Sequence, residues 1–203
     1  MDNDAIVMTE GSYRSQIIKF AIPLFLGNLF QQMYSAADSL VVGNVIGSNA
    51  LAAVSSSGSL IMLLIGLFQG LAMGAGVVIA QCIGAKNDQH TREAVATVVA
   101  VGFICGFLLT IIGVVLTPQI LILMGTPKSI MPESVEFLRV YFLGSMGFVM
   151  YNTFISILQA NGDSKGPLYY LIASSVVNIA FDIIFIYWLH LSVGFSALAT
   201  VIA

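Results

Sequence analysis

Charged residues in this chain are so far apart that long stretches of it cannot be meant for water. None occurs in residues 20–37, 39–85, 94–127, 140–162 or 166–181, and none follows Asp182. A spanning helix needs about 20 mostly apolar residues, and a charge at mid-bilayer costs about 2.5–3.5 kcal/mol on insertion scales. The charge-free runs therefore read as transmembrane helices, and the fold class is all-α, a polytopic membrane helix bundle. The expected spans are residues 14–42, 50–83, 92–124, 133–160, 166–188 and 194–203, after a tail over 1–13. The sixth is cut off at Ala203. A Gly/Asn/Ser break over 43–49 separates the first two, and the second, about 50 Å long, must tilt, bend or project beyond a core of about 30 Å.

Composition closes off the other classes. Of the 203 residues 58% are hydrophobic and 8% charged, with a mean hydropathy of +0.97, against about 25% charged in a soluble domain. Seven basic residues against ten acidic ones, in no basic run, give nucleic acid nothing to bind. Cys82 and Cys105 lie in apolar stretches without CxxC spacing, so neither a disulfide framework nor a zinc site is indicated. His90 and His190 stand at helix ends, in interfacial or loop roles. The N-terminal residues are polar and acidic, without the basic region of a signal peptide, so the first apolar segment is expected to stay in the mature protein.

Orientation follows from the basic residues. Arg14, Lys19, Lys86, Arg92 and Lys165 fall on one side of the spans, Lys128 and Arg139 on the other, so the positive-inside rule makes the N-terminus cytoplasmic in a multi-pass cell-membrane protein. Arg139 is read as snorkelling to the interface. Glycines at helical spacing, Gly66, Gly70 and Gly74 in the second span and Gly102 and Gly106 in the third, are read as close-packing positions. Pro23 either kinks the first span, marking a bend, or opens its helix.

Two carboxylates lie inside apolar runs, Asp38 and Asp182. An ionisable residue within a span is a functional-site hypothesis by default. Gln31, Tyr34 and Asp38 make one polar stripe, and Tyr170, Ser174, Asn178 and Asp182 step by four to make another. In lipid such stripes must face protein or water, which makes Gln31, Tyr34, Tyr170 and Ser174 cavity-lining positions. About 28 Å of helix separates Lys19 from Asp38, about 25 Å separates Lys165 from Asp182, and Thr200 stands about 9 Å down the sixth span. Asp38, Asn178, Asp182 and Thr200 thus share one level, an oxygen-rich set suited to a proton or to Na⁺ rather than a soft metal.

The runs Pro23-Leu24-Phe25, Tyr34-Ser35-Ala36-Ala37-Asp38-Ser39-Leu40-Val41-Val42-Gly43 and Gly47-Ser48-Asn49-Ala50-Leu51-Ala52-Ala53-Val54 resemble the opening of multidrug and toxic compound extrusion (MATE) transporters. Gln81-Cys82-Ile83-Gly84-Ala85, Gln159-Ala160-Asn161-Gly162-Asp163-Ser164-Lys165, Asn178-Ile179-Ala180-Phe181-Asp182 and Ala197-Leu198-Ala199-Thr200 follow in the same order. The resemblance implies a twelve-helix transporter of two six-helix lobes, of which this chain would be the N-lobe, its second lobe missing. It implies secondary active efflux of amphipathic or cationic organic compounds against H⁺ or Na⁺, with no other cofactor and the lipid bilayer as surroundings. Its cation site matches Asp38, Asn178, Asp182 and Thr200. Alternatives are a lipid-intermediate flippase of a related fold, which would want a more cationic cavity, and a scaffold that transports nothing. An embedded hydrolase finds no motif in its favour, so no enzyme activity is expected.

Overall fold

A computed structural model describes residues 13–45, 48–189 and 191–203, apart from the side chains of Tyr13, Tyr34, residues 37–38, 40–45 and 48–50. Tyr34 and Asp38, as side chains, and His190 therefore lie outside the described residues. The described residues form helices and no strand: α1 (Tyr13–Val45), α2 (Ser48–Gly84), α3 (Asp88–Leu123), α4 (Met131–Leu143), α5 (Ser145–Ala160), α6 (Lys165–Asp182), a π-helical segment (Ile183–Trp188) and α7 (Val193–Ile202).

Among the described residues, Leu51–Gly84, Asp88–Leu123 and Lys165–Trp188 are each long and apolar enough to cross a membrane. The stretch expected as one helix over 133–160 is instead two, α4 and α5, bent by 47° at Gly144, and the pair counts as a fourth span. The first expected span, α1, is long enough at 33 residues but is not in that group. Asn28, Gln31 and Gln32 dilute its apolar run. Pro23 lies inside α1, well past its start at Tyr13, which removes the helix-opening reading. Its ring takes away the N–H that would have bonded the Lys19 carbonyl one turn back.

Beside its apolar core the bundle buries many small polar residues and turns large apolar ones outward. Ser57, Thr117, Ser134, Ser145, Thr153, Ser156, Asn178, Asp182 and Ser196 are buried, while Leu63, Leu67, Phe103, Phe107, Ile111 and Val115 point outward. Lipid tails are as apolar as leucine, so burying leucine gains little there, and helices associate through small residues and hydrogen bonds. Several buried hydroxyls bond carbonyls of their own helix: Ser57 to Ala53, Thr117 to Gly113, Thr153 to Val149 and Ser175 to Leu171. Ser156 reaches another helix and donates to the Ala72 carbonyl of α2.

Glycines set the closest approaches, but only some of those expected to. A Cβ at Gly102 would lie 2.7 Å from Thr153 Oγ1, one at Gly106 would lie 3.0 Å from Met146 Cα, and one at Gly113 would overlap the Phe142 ring. These positions let α3 lie along α4 and α5. At Gly66, Gly70 and Gly74 an added Cβ would meet nothing within 4 Å, which corrects their reading as packing sites between helices of this chain. Gly76, two residues on, is the α2 glycine that meets a neighbour, Ser156. Spacing marks a helix face as small, but not whether another helix lies against it.

Two apolar clusters hold the bundle. One joins Phe137 of α4, Ile186 of the π segment, and Val193 and Ala197 of α7; the other joins Leu121 of α3 to Leu138 and Phe142 of α4.

Candidate functional site

The second polar stripe stays on one face of α6 and runs from an open cleft into the bundle. Tyr170 is 60% exposed, Ser174 is half-buried, and Asn178 and Asp182 are each 1% exposed. Four-residue steps advance about 40° per turn around an α-helix, so the stripe drifts gradually as it climbs. The helix carrying it begins at a turn made by Asp163, whose Oδ1 accepts from the backbone N–H of Lys165 at 3.0 Å and of Gly166 at 2.8 Å. Directly after Asp182 the backbone widens into the π segment. Such widened turns re-aim side chains and are frequent at functional sites.

Asn178 joins α6 to α7. In one orientation its amide donates to Thr200 Oγ1 at 3.3 Å, and that hydroxyl donates to the Ser196 carbonyl at 3.2 Å. Turned by 180°, the amide donates to Asp182 Oδ2 at 3.1 Å and accepts from the Thr200 backbone N–H at 3.2 Å. The second orientation satisfies both ends of the amide, and the choice between them is one of hydrogen-bond pattern. Either way, Asn178 stands between a buried carboxyl and Thr200 of α7, 22 residues later in the chain. Ser196, fully buried one turn before Thr200, belongs to the same group. Sequence reading missed it, although the Ser196–Thr200 spacing of four was its visible signal.

An open cleft of about 420 Å³ lies among α5, α6 and α7, bordered by Tyr151, Phe154, Tyr170, Ser174 and Val177. Tyr170 and Ser174 thus face it together, whereas Gln31 of α1 is half-buried and does not border it. The lining is mostly apolar and aromatic, with few polar groups, and Ile202 and Ala203, the last two residues of the sequence, form part of it. No group of three or more His, Cys, Asp or Glu side chains able to hold a metal ion occurs among the described residues. Arg139 is exposed on α4, and His90 lies in the first turn of α3, its backbone N–H bonded to Asn87 Oδ1 at 3.1 Å.

The family model MatE matches residues 23–184. The chain belongs to the MatE family. Among relatives of this MatE chain, the probable multidrug resistance protein YoeA of Bacillus subtilis (strain 168) is 37% identical over 161 residues, 79% of this chain and 35% of YoeA. A MOP superfamily transporter from Pyrococcus furiosus, 27% identical, superposes with a TM-score of 0.91 over 100% of this chain and 44% of its own. An outward-facing multidrug resistance MATE family transporter of the MOP superfamily gives the same identity and TM-score, with 45% of its length covered. The MatE chain spans less than half the length of each. Membership in this transporter family, together with its long apolar helices, makes it an all-α membrane protein.

Proposed function

We propose that this MatE chain is the cation-coupling half of a multidrug efflux antiporter. In this reading H⁺ or Na⁺ binds at Asp38, Asn178, Asp182 and Thr200, and its entry drives an amphipathic or cationic organic compound out of the cell. The supporting observation is the deeply buried Asp182–Asn178 pair, which lies on the same α6 face as Tyr170 and Ser174 and meets half-buried Thr200 of α7. A cleft for an organic molecule and a carboxyl two turns further along one helix are well disposed for coupling. Occupancy of one changes the packing, and so the affinity, of the other, and the effect is reciprocal.

The first helix fits the same reading. Gly27 of α1 lies against Leu168 and Leu171 of α6, and α1 also touches the π segment; in the proposed reading the two helices run parallel. Advancing equally from those contacts, about 16 Å of rise, brings position 38 of α1 level with the last turn of α6, which ends at Asp182. In the proposed reading Asp38 of α1 is the second carboxyl, and two carboxylates with an amide and a hydroxyl make an oxygen set suited to a small hard cation. Alternating access then needs a second helical lobe for this one to rock against, as the greater length of the matched transporters suggests. The N-terminus is cytoplasmic in this arrangement.

The test uses the intact protein in liposomes, with ethidium as the transported organic cation and an imposed pH or Na⁺ gradient. Asp182→Asn keeps the size and hydrogen-bonding reach of the side chain but removes its charge change. It is expected to abolish gradient-driven ethidium transport while leaving insertion and thermal stability near those of the parent. Transport that still follows the gradient in this variant would overturn the assignment.

A further inference from the structure

The bend between α4 and α5 is not explained by the coupling site, yet its structure leads to it. Gly144 has φ −83° and ψ −6°, which any residue can adopt, so space rather than backbone conformation requires glycine there. A Cβ at Gly144 would overlap Val201 Cγ2 and lie 2.7 Å from Cγ1 and 2.9 Å from Cβ. Val201 of α7, 39% exposed on its other side, therefore lies against Gly144 in a space that only glycine leaves open. The residue immediately before it, Thr200, bonds Asn178.

The other side of the bend is fixed as firmly. Ser145 Oγ donates to the Phe142 carbonyl at 2.7 Å and lies 3.0 Å from Thr110 Oγ1 of α3, and the Phe142 ring fills the space over Gly113. The backbone remains bonded across the break, Gly144 N–H to Tyr141 O at 3.1 Å and Phe148 N–H to Gly144 O at 3.1 Å. The bend is thus a defined shape clamped to α3, and α7 takes its position from it. Packed helices have discrete rather than continuous arrangements, so moving Val201 out of the notch moves Thr200 with it.

We propose that the Gly144 notch and Val201 form a mechanical link that sets the depth and rotation of α7, making Gly144 a positioning residue for cation binding at Asn178, Asp182 and Thr200. The inference rests on the antiport reading above and adds to it the element through which the bent span senses the site. A cation that draws Thr200 inward seats Val201 against Gly144, and release lets the two separate.

The experiment measures initial rates of ethidium transport by the intact protein in liposomes against Na⁺ concentration and, separately, against pH. Gly144→Ala is expected to raise the half-saturating cation concentration about tenfold, with a smaller effect on the rate at saturation. Val201→Gly in the same protein removes the overlapping methyls and returns half-saturation toward the parent value. Val201→Ala leaves a Cβ 2.9 Å away and restores only part. A merely structural role for Gly144 would lower protein yield or thermal midpoint without this graded rescue of the cation response. Unchanged half-saturation in folded Gly144→Ala protein overturns the link, as does a shift that Val201→Gly leaves in place. If Gly144→Ala does not fold, Val201→Gly alone serves: it empties the notch and is expected to raise half-saturation, and an unaltered value overturns the link. A parent protein whose transport ignores both cations refutes the antiport reading and this inference with it. A cation-dependent parent with an insensitive Gly144→Ala variant refutes this inference alone.

Discussion

Asn178 on α6 and Thr200 on α7 are joined by a hydrogen bond of 3.3 Å, or by the Thr200 N–H at 3.2 Å when the amide is turned toward Asp182. This bond ties the last turn of the polar stripe to α7. Asn178→Ala should cost about 1–3 kcal/mol, the penalty for deleting a buried hydrogen-bonding partner. Thermal unfolding in detergent measures it, and a loss no larger than that of an exposed control such as Asn161→Ala would count against Asn178 as the link between α6 and α7.

Glycines of α3 and α2 should part company. Gly113→Ala places a methyl in the Phe142 ring, and such overpacking costs about 1–3 kcal/mol. Gly66→Ala, Gly70→Ala and Gly74→Ala meet nothing in this chain and should leave its fold unchanged or gain up to about 1 kcal/mol from helix propensity. Comparing thermal midpoints of the four variants checks the contrast, with Gly113→Ala expected lowest.

At the other end of α7, Ser192 donates to Glu136 Oε1 of α4, and a Cβ at Gly194 would lie 2.7 Å from that same oxygen. A carboxylate beside a helix N-terminus is favourable by about 0.3–1 kcal/mol at an exposed site. Glu136→Ala should therefore speed amide exchange over the first turn of α7 and leave α6 untouched. Hydrogen exchange read by mass spectrometry distinguishes the two segments, and unchanged exchange in α7 would show the contact to be incidental.

The turn before α6 offers a fourth check. Asp163 bonds two consecutive backbone N–H groups, and Gly166 leaves room for its carboxylate, since a Cβ there would contact Asp163 Oδ2. Asp163→Ala should cost about 1 kcal/mol, as loss of a helix-capping side chain does, and Asp163→Asn, which keeps an acceptor oxygen, should recover most of it. Thermal midpoints of both variants give the answer, and equal losses would mean that charge rather than the hydrogen bonds matters.

What the sequence determined by itself is what local chemistry determines. Charge-free runs demand helices in lipid, the Asp163 turn separates two of them, and the four-residue steps from Tyr170 to Asp182 put those side chains along one face of whichever helix holds them. What only the tertiary structure decided is which faces meet. In lipid an apolar face packed on protein and one facing acyl chains look alike in sequence, because little hydrophobic contrast separates them. For this reason Gly66, Gly70 and Gly74 read as contact residues yet meet no other helix of this chain, and Gly144, one glycine among the 19 in the chain, carried no sign of a 47° bend. The bend, the seat of Val201 and the meeting of Asn178 with Thr200 arise from helices α3 to α7 pressing on one another, and no periodicity within a single helix encodes them.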